Sequence, residues 1–186
     1  MSKRLLSTLL LTILITGGIW WQIGRSPKKP TLSPAEELAQ KIGQALDHPD
    51  TSPASKDFER LRALLRQDPE NDHLRLTQAR INWMTGNLDD LISAKNKLLE
   101  LSKGSGPISL KALKAIAFSP LREGVFKEDV EDAAGKLRKH PLAENTEILR
   151  STEILLHLAK PADRDSILNA VIHQVQYKDK PLLARW

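Results

Sequence analysis

Cysteine is absent from the 186 residues of this chain, which excludes disulfides, thiolate metal ligands, a cysteine nucleophile and lipidated cysteines. Aromatic residues are also few, and no stretch of five residues alternates between apolar and polar side chains. Aromatic enrichment and such alternation are both typical of strands, so their absence argues against a β-sheet. Leu, Ala, Ile, Lys, Glu and Arg dominate instead, and this composition favours helices.

Acidic residues are missing from the first thirty positions. The five basic residues found there account for the whole formal net charge of +5, which leaves 23 of the 28 basic residues and all 23 acidic residues in 31–186. A protein that binds nucleic acid needs a basic face to displace counterions from phosphates. Residues 31–186 lack that excess of positive charge, and we therefore predict no nucleic-acid partner.

The sequence also lacks the short motifs of metalloproteases, α/β-hydrolases, phosphate-binding loops, dinucleotide-binding domains and calcium loops. His48 and His140 directly precede prolines, where we predict exposed side chains near helix ends. His157 and His173 fall on consecutive predicted helices, so a site built from these two is the alternative that would make the protein an enzyme. The acidic residues in 128–132 open a predicted helix and complement its dipole. We predict no catalysis, cofactor, metal ion or small-molecule substrate.

The N-terminal segment 1–25 is predicted to be a transmembrane helix. Residues 5–24 carry no charge and as a helix would span roughly 30 Å, the thickness of a hydrocarbon core. Trp20 and Trp21 lie near the far end, where indole rings favour the membrane interface. The basic start favours a single-pass protein of a bacterial inner membrane with its domain exported, but three basic residues also follow the segment, so the positive-inside rule leaves the opposite orientation open. The alternative is a cleaved signal peptide with an apolar core over 5–15.

Prolines organise the rest of the chain. Three of them in 26–34 predict a stiff, extended stalk. The chain then divides into segments of 34 to 38 residues, whose boundaries are Pro34, Pro69, Pro107 and Pro141. Each segment is long enough for two helices and a turn. Such a period is typical of stacked helical hairpins, because one hairpin cannot bury its own apolar face. We predict an all-α domain of about eight helices over 35–180. The apolar tail 181–186 would either cover the last helix or dock a partner.

Apolar residues at helical spacing assign a buried face to each predicted helix. In the fourth helix this face contains Leu88, Leu91, Ile92, Leu98 and Leu99. In the sixth it contains Phe126, Val130, Ala133 and Leu137. In the eighth it contains Leu168, Val171, Ile172 and Val175. Between the third and fourth helices, we expect Gly86 to adopt a positive φ as a left-handed cap and Asn87 to cap the following helix.

Residues 67–101 resemble a tetratricopeptide repeat. The resemblance rests on Asp68-Pro69-x-Asn71 ahead of a helix, on the small Ala79 seven residues before a glycine, and on the turn Gly86-Asn87-Leu88. Residues 139–176 resemble a second, looser unit, in which Lys160-Pro161 replaces the glycine turn. The resemblance implies an α-solenoid whose concave face binds peptides or protein partners. Bulky aromatic residues, which the family usually carries in its first helix, are replaced here by Arg75 and Asn82.

A polar stripe on the third predicted helix is the candidate binding site. Arg75, Gln78 and Asn82 fall at i, i+3 and i+7, and first helices line the concave surface in the resembled family. An arginine and two amides suit the backbone and carboxylate groups of an extended peptide, although an ordinary solvated face is the alternative. We predict a membrane-anchored adaptor for a protein or peptide partner. The alternative is an exported soluble protein, either chaperone-like or a structural subunit of an envelope complex.

Overall fold

A computed structural model describes residues 32–48, 53–119 and 126–172. Within these ranges the chain is all-helical, as predicted, and contains eight α-helices, one turn of 3-10 helix and no strand. The chain divides into two units, Met1–Ser33 and Pro34–Trp186, and all the described helices belong to the second unit. In chain order the α-helices are α1 Pro34–Asp47, α2 Ser55–Gln67, α3 Asp72–Thr85, α4 Leu88–Leu101, α5 Pro107–Ala117, α6 Lys127–Arg138, α7 Asn145–Leu158 and α8 Arg164–Ile172.

Several predicted features fall outside the described residues. They include the transmembrane helix with Trp20 and Trp21, the stalk as far as residue 31, Val175 of the eighth predicted helix, and the tail 181–186. None of the described helices has the length and apolarity needed to cross a bilayer.

Local signals set most helix boundaries, as predicted. Helix α1 begins at Pro34, α2 ends directly before Asp68-Pro69, and α7 ends three residues before Pro161. Asn87 caps α4, since its side-chain Oδ1 accepts a hydrogen bond of 3.0 Å from the backbone N–H of Asp90. Proline lacks the backbone donor that a helix interior needs, and a capping amide satisfies a donor that the first turn leaves open.

The predicted left-handed cap at Gly86 is wrong. Its φ is −71° and its ψ is 158°, which any residue can adopt, and no described residue has a positive φ. Glycine is needed here for space. A Cβ at this position would lie 2.5 Å from the carbonyl oxygen of Asn82 and 2.5 Å from the Cβ of Asp90. The hairpin between α3 and α4 therefore closes too tightly for any side chain.

Helices that are consecutive in the chain pack against one another. Each α-helix contacts the next one along the chain, and in addition α1 contacts α3 and α3 contacts α5. Helices α1 to α3 share a small apolar cluster formed by Leu38, Ile42, Leu61, Leu74 and Ile81. The largest cluster joins α3 to α6 around the fully buried Trp83, Leu98 and Ile116. A third joins α7 to α8 through Ile148, Leu149 and Val171.

Buried faces agree with the predicted ones in α6 but not throughout α4 and α8. In α6, Val130, Ala133 and Leu137 are completely buried. In α4, Leu88 and Ile92 are exposed by 60% and 43%, so their predicted place in the core is wrong. The same holds for Ile172 at the end of α8, which is 58% exposed. The spacing of these residues matches a helix face, but no neighbouring helix covers that part of the face within the described residues.

Candidate functional site

The predicted polar stripe lies on α3, and its three side chains are all half-buried. Asn82 accepts a hydrogen bond of 2.7 Å at Oδ1 from the Nε2 of Gln78. The Arg75 guanidinium points to the end of α4, where its Nη2 lies 2.7 Å from Oε1 of Glu100. The structure thus brings the stripe together as one surface, and its polar groups already contact each other or a neighbouring helix.

Arg75 is the centre of an ion-pair network. Its side chain is only 13% exposed, and besides Glu100 it pairs with Glu70 at 3.3 Å and Asp72 at 3.1 Å. The hydrogen bond that Arg75 donates to Glu100 raises the pKa of Arg75. In turn, the Arg75 hydrogen bond, followed by that from Lys97, lowers the pKa of Glu100. A peptide carboxylate would have to displace one of three acidic partners, and the prediction that a peptide binds this stripe stays a prediction.

The opposite edge of α3 is tied to α1. Arg80 donates a hydrogen bond to Asp47 at the last residue of α1, and His73 lies 3.6 Å from Glu36 in its first turn. The α3 helix therefore has polar contacts on two edges, with its apolar residues buried between them. These contacts fix the position of α3 between its neighbours.

An apolar strip lies at the turn between α3 and α4. It consists of Met84, Leu88 and Ile92, whose exposed fractions lie between 43% and 60%. Leu88 and Ile92 are one helical turn apart and so lie side by side on α4. Met84 lies two residues before the tight Gly86 turn, at the same end of the hairpin. Sequence reasoning placed Leu88 and Ile92 in the core and did not single out Met84.

A groove of about 480 Å³ crosses α6, α7 and α8, and we call it the α6 groove. Most of the lining that the described residues provide is a single face of α6, to which α7 and α8 add one apolar residue each. The lining residues are Glu128, Glu131, Asp132, Gly135, Arg138, Lys139, Leu155 and Ile167. Its charges are graded along α6, with acidic side chains near the start of the helix and basic ones at its end.

Two donor atoms in the α6 groove have no acceptor. The Nε and Nη1 atoms of Arg138 are buried from solvent and lie within reach of no hydrogen-bond acceptor. Asp132, by contrast, is paired with Lys136 one turn later, and Asp129 pairs with Lys95 of α4 at 3.0 Å. Among the described residues, no ion pair engages Glu128, Glu131 or Arg138. We predicted that the acidic residues in 128–132 complement the helix dipole, but not that they line one groove with Arg138.

The four histidines among the described residues lie on or beside different helices. His48 is exposed, as predicted, but His140 is 9% exposed, so its predicted exposure is wrong. The Nδ1 atom of His140 accepts a hydrogen bond of 3.2 Å from the backbone N–H of Leu142, which holds the ring inside the α6–α7 connection. His157 is exposed on α7, and His173 lies outside the described residues.

Metal ligands are likewise not grouped. In the three described ranges, no three His, Asp or Glu side chains gather closely enough to hold a metal ion. The surfaces singled out in the described residues are the polar stripe, the apolar strip and the α6 groove.

Comparison with known proteins adds no relative. No protein-family model matches the chain, and no curated protein or solved structure is significantly similar to it. The resemblance to tetratricopeptide repeats therefore stays a prediction that rests on the residues quoted for it.

Proposed function

We propose that this protein is an adaptor that holds a partner protein through its helical domain, with residues 5–24 as its membrane anchor. The domain acts as a short solenoid of the tetratricopeptide type, whose units are α1–α2, α3–α4, α5–α6 and α7–α8. The contacts of α1 with α3 and of α3 with α5 support this arrangement, because stacked hairpins contact their neighbours in just this alternating order. The proposal assigns the protein no catalytic role.

The observation that carries the proposal is the exposed apolar strip. Complete burial of a Leu or Ile side chain stabilises a protein or a complex by about 1.5–3 kcal/mol. Leu88 and Ile92 are 60% and 43% exposed in the fold, so a partner that covers them would gain part of this free energy. Neighbouring exposed apolar side chains mark protein-interaction surfaces when they are contiguous. The strip adjoins the tight turn at Gly86, which holds the ends of α3 and α4 close together.

In-cell photo-crosslinking tests the proposal. A photoreactive amino acid at Ile92 is expected to give a discrete adduct of higher mass, whereas the same amino acid at the exposed Arg62 of α2 serves as the control. Replacing Leu88 by Asp should abolish the Ile92 adduct while the circular dichroism spectrum stays helical. Equal adducts at both positions, or none at Ile92, would refute the strip as a binding surface.

The same assay decides between the two candidate surfaces on the α3–α4 hairpin. If Ala replaces Arg75, Gln78 and Asn82 together and the Ile92 adduct persists undiminished, the polar stripe takes no part in binding. Fractionation with N-terminal sequencing tests the anchor. A mature chain that begins near Ile19 would favour the alternative of an exported soluble protein with a cleaved signal peptide, acting as a chaperone-like or structural subunit of an envelope complex.

A further inference from the structure

Helix α2 presents an exposed basic face. The helix packs on α1 and α3, and its buried residues are Asp57 and Leu61. Successive helical residues are about 100° apart, so the other charged side chains of α2 fall on one arc opposite Leu61. All of them are exposed, and they are Lys56, Glu59, Arg60, Arg62 and Arg66. We call this surface the α2 basic face. With four positive charges and one negative charge, its net charge is +3.

The arginines of the α2 basic face have no partner in the described part of the chain. No described carboxylate or carbonyl group engages Arg60, Arg62 or Arg66, whereas Arg75 and Arg80 of α3 are both paired with acidic residues of neighbouring helices. Residues 31–186 as a whole carry equal numbers of basic and acidic residues. The positive charge of this face therefore comes from the segregation of charges, and its guanidinium groups are open to an anion from outside.

The α2 basic face reaches the end of the domain at which the stalk is attached. The last residue of α2 is joined to the start of α3 by the short connection 68–71. His73 at the start of α3 lies 3.6 Å from Glu36 in the first turn of α1. Arg66 in the last turn of α2 and the first turn of α1 therefore share one end of the domain. Two acidic residues nearby, Glu70 and Asp72, are paired with Arg75.

The stalk limits how far this end lies from the proposed membrane anchor. Only residues 25–33 separate the uncharged segment 5–24 from the start of α1, and nine extended residues span at most about 32 Å. A short tether of this kind gives a weak surface contact a high effective concentration. The tether itself carries Arg25, Lys28 and Lys29, and basic residues next to a membrane segment are attracted to anionic lipids.

A lipid surface fits the α2 basic face better than a nucleic acid does. Arg60 and Arg66 are six residues apart, which is about 9 Å along a helix. That length is close to the Debye length at physiological ionic strength, so the three arginines can all lie within the field of one charged surface. Tight binding to nucleic acid draws on about 6–10 phosphate contacts, more than this single helix face provides.

We propose that the α2 basic face docks the domain on the bilayer by binding anionic lipid head groups. The guanidinium groups of Arg60, Arg62 and Arg66 pair with lipid phosphates, whose geometry suits an arginine. The apolar strip lies at the other end of α3, so docking leaves it accessible to the partner protein. This inference rests on the proposed membrane anchor and adds the surface that orients the domain.

The test uses the full chain in lipid vesicles and a single fluorescent label. Because the chain has no cysteine, Ala63→Cys places a label at one exposed point between the arginines. The vesicles contain phosphatidylcholine with or without phosphatidylglycerol, and both kinds include a lipid with a quencher on its head group. We expect strong quenching of this label with phosphatidylglycerol, and weak quenching without it or at high salt. Ser93→Cys, at an exposed position of α4, is the control label and should report no such difference.

Charge variants assign the docking to the three arginines. Replacing all three by Gln should lower the docking equilibrium constant about a hundredfold, since each basic residue at an anionic surface contributes about fivefold. Replacing them by Lys should keep most of the docking, because the charge is retained. A matched control loses the same charge elsewhere, through Gln at three exposed basic positions, which are Lys111, Lys139 and Arg164. It should dock like the wild type. All variants should keep the helical circular dichroism spectrum.

Three results would overturn the proposal. They are equal quenching with and without phosphatidylglycerol, quenching that the three Gln substitutions leave unchanged, and an equal loss of docking in the matched control. Binding of a labelled DNA duplex that depends on the three arginines, without quenching by phosphatidylglycerol vesicles, would identify a nucleic-acid surface and would also overturn it.

Flotation of the same vesicles separates this inference from the proposed function. A chain that floats with phosphatidylcholine vesicles but shows no quenching that depends on phosphatidylglycerol overturns the docking and leaves the anchor standing. A chain that floats only when phosphatidylglycerol is present, with quenching at residue 63, supports the α2 basic face and removes the anchor. The Ile92 adduct tests the partner surface independently of both.

Discussion

Replacing Gly86 by Ala should destabilise the domain through a steric clash. The new Cβ would lie 2.5 Å from a backbone oxygen of Asn82 and 2.5 Å from the Cβ of Asp90, about 1 Å closer than an ordinary contact. The backbone must shift to relieve this, although the N–H of Gly86 donates a 2.8 Å hydrogen bond to the same Asn82 oxygen. Overpacking of this kind costs about 1–3 kcal/mol and a weakened hydrogen bond about 1 kcal/mol more. We expect a loss of about 3 kcal/mol in the free energy of unfolding.

Gly135→Ala is the matched control in the same chain. Its Cβ meets no atom within 4 Å, and Ala favours a helix interior over Gly, so we expect a gain of about 0.5–1 kcal/mol. For a domain of this size the melting temperature changes by roughly 2–4 °C per kcal/mol. The same substitution should therefore lower the melting temperature by about 6–12 °C at Gly86 and raise it by about 1–4 °C at Gly135.

Urea unfolding of the full chain, followed by far-ultraviolet circular dichroism, measures both effects. Gly86→Asn separates the steric explanation from the left-handed cap that the sequence suggested. Asn tolerates a positive φ far better than Ala does, so a left-handed cap predicts that Asn is the milder substitution. A close approach predicts that Asn is at least as damaging as Ala. A Gly86→Ala variant as stable as the wild type would refute the reasoning altogether.

Three other substitutions probe separate parts of the fold. Trp83→Ala should lower the free energy of unfolding, measured with urea, by about 3–5 kcal/mol. The reason is that the indole is 1% exposed and packs on Phe126 with ring centroids 5.4 Å apart. A loss below 1 kcal/mol would contradict its central place in the core. Asn87→Ala should cost about 1 kcal/mol by removing the cap of α4, and an unchanged urea midpoint would contradict the capping hydrogen bond. The Lys41 hydrogen bond lowers the pKa of Asp57 in the folded protein. The ionised carboxylate therefore stabilises the fold fully above about pH 4, the usual pKa of an Asp in the unfolded chain. This stabilisation is lost as the pH falls through the lowered pKa of the folded state. The stability difference between wild type and Asp57→Asn should thus be constant above about pH 5 and shrink below pH 4, whereas a difference that grows on acidification would contradict the ion pair.

Helix positions were predictable because their signals are local. A proline or a capping side chain acts on backbone groups within one turn, so Pro34 and Asn87 mark helix starts whatever the rest of the chain does. The buried face of α6 was equally predictable, since neighbours cover it along its full length. The conformation of Gly86 was not, because the reason for glycine there is the proximity of Asp90 across the turn.

Surface features depended on distant parts of the chain. Glu100 neutralises Arg75 from 25 positions away, so the polar stripe could be located on a helix face but its ion pairs could not be foreseen. Leu88 and Ile92 have the spacing of core residues, yet spacing reveals only that two side chains share a face. Whether that face is buried depends on whether another helix packs against it along its whole length.

The amino-acid sequence alone thus determined that the described part of the chain is helical and where most of the described helices begin and end, because backbone hydrogen bonding and capping act over a few residues. Only the tertiary structure decided which side chains meet across helices, which apolar residues remain exposed and which charges line a common groove. Those outcomes depend on the packing of several helices at once, and no segment carries that information by itself. The α6 groove is the clearest case, because its described lining residues come from three helices.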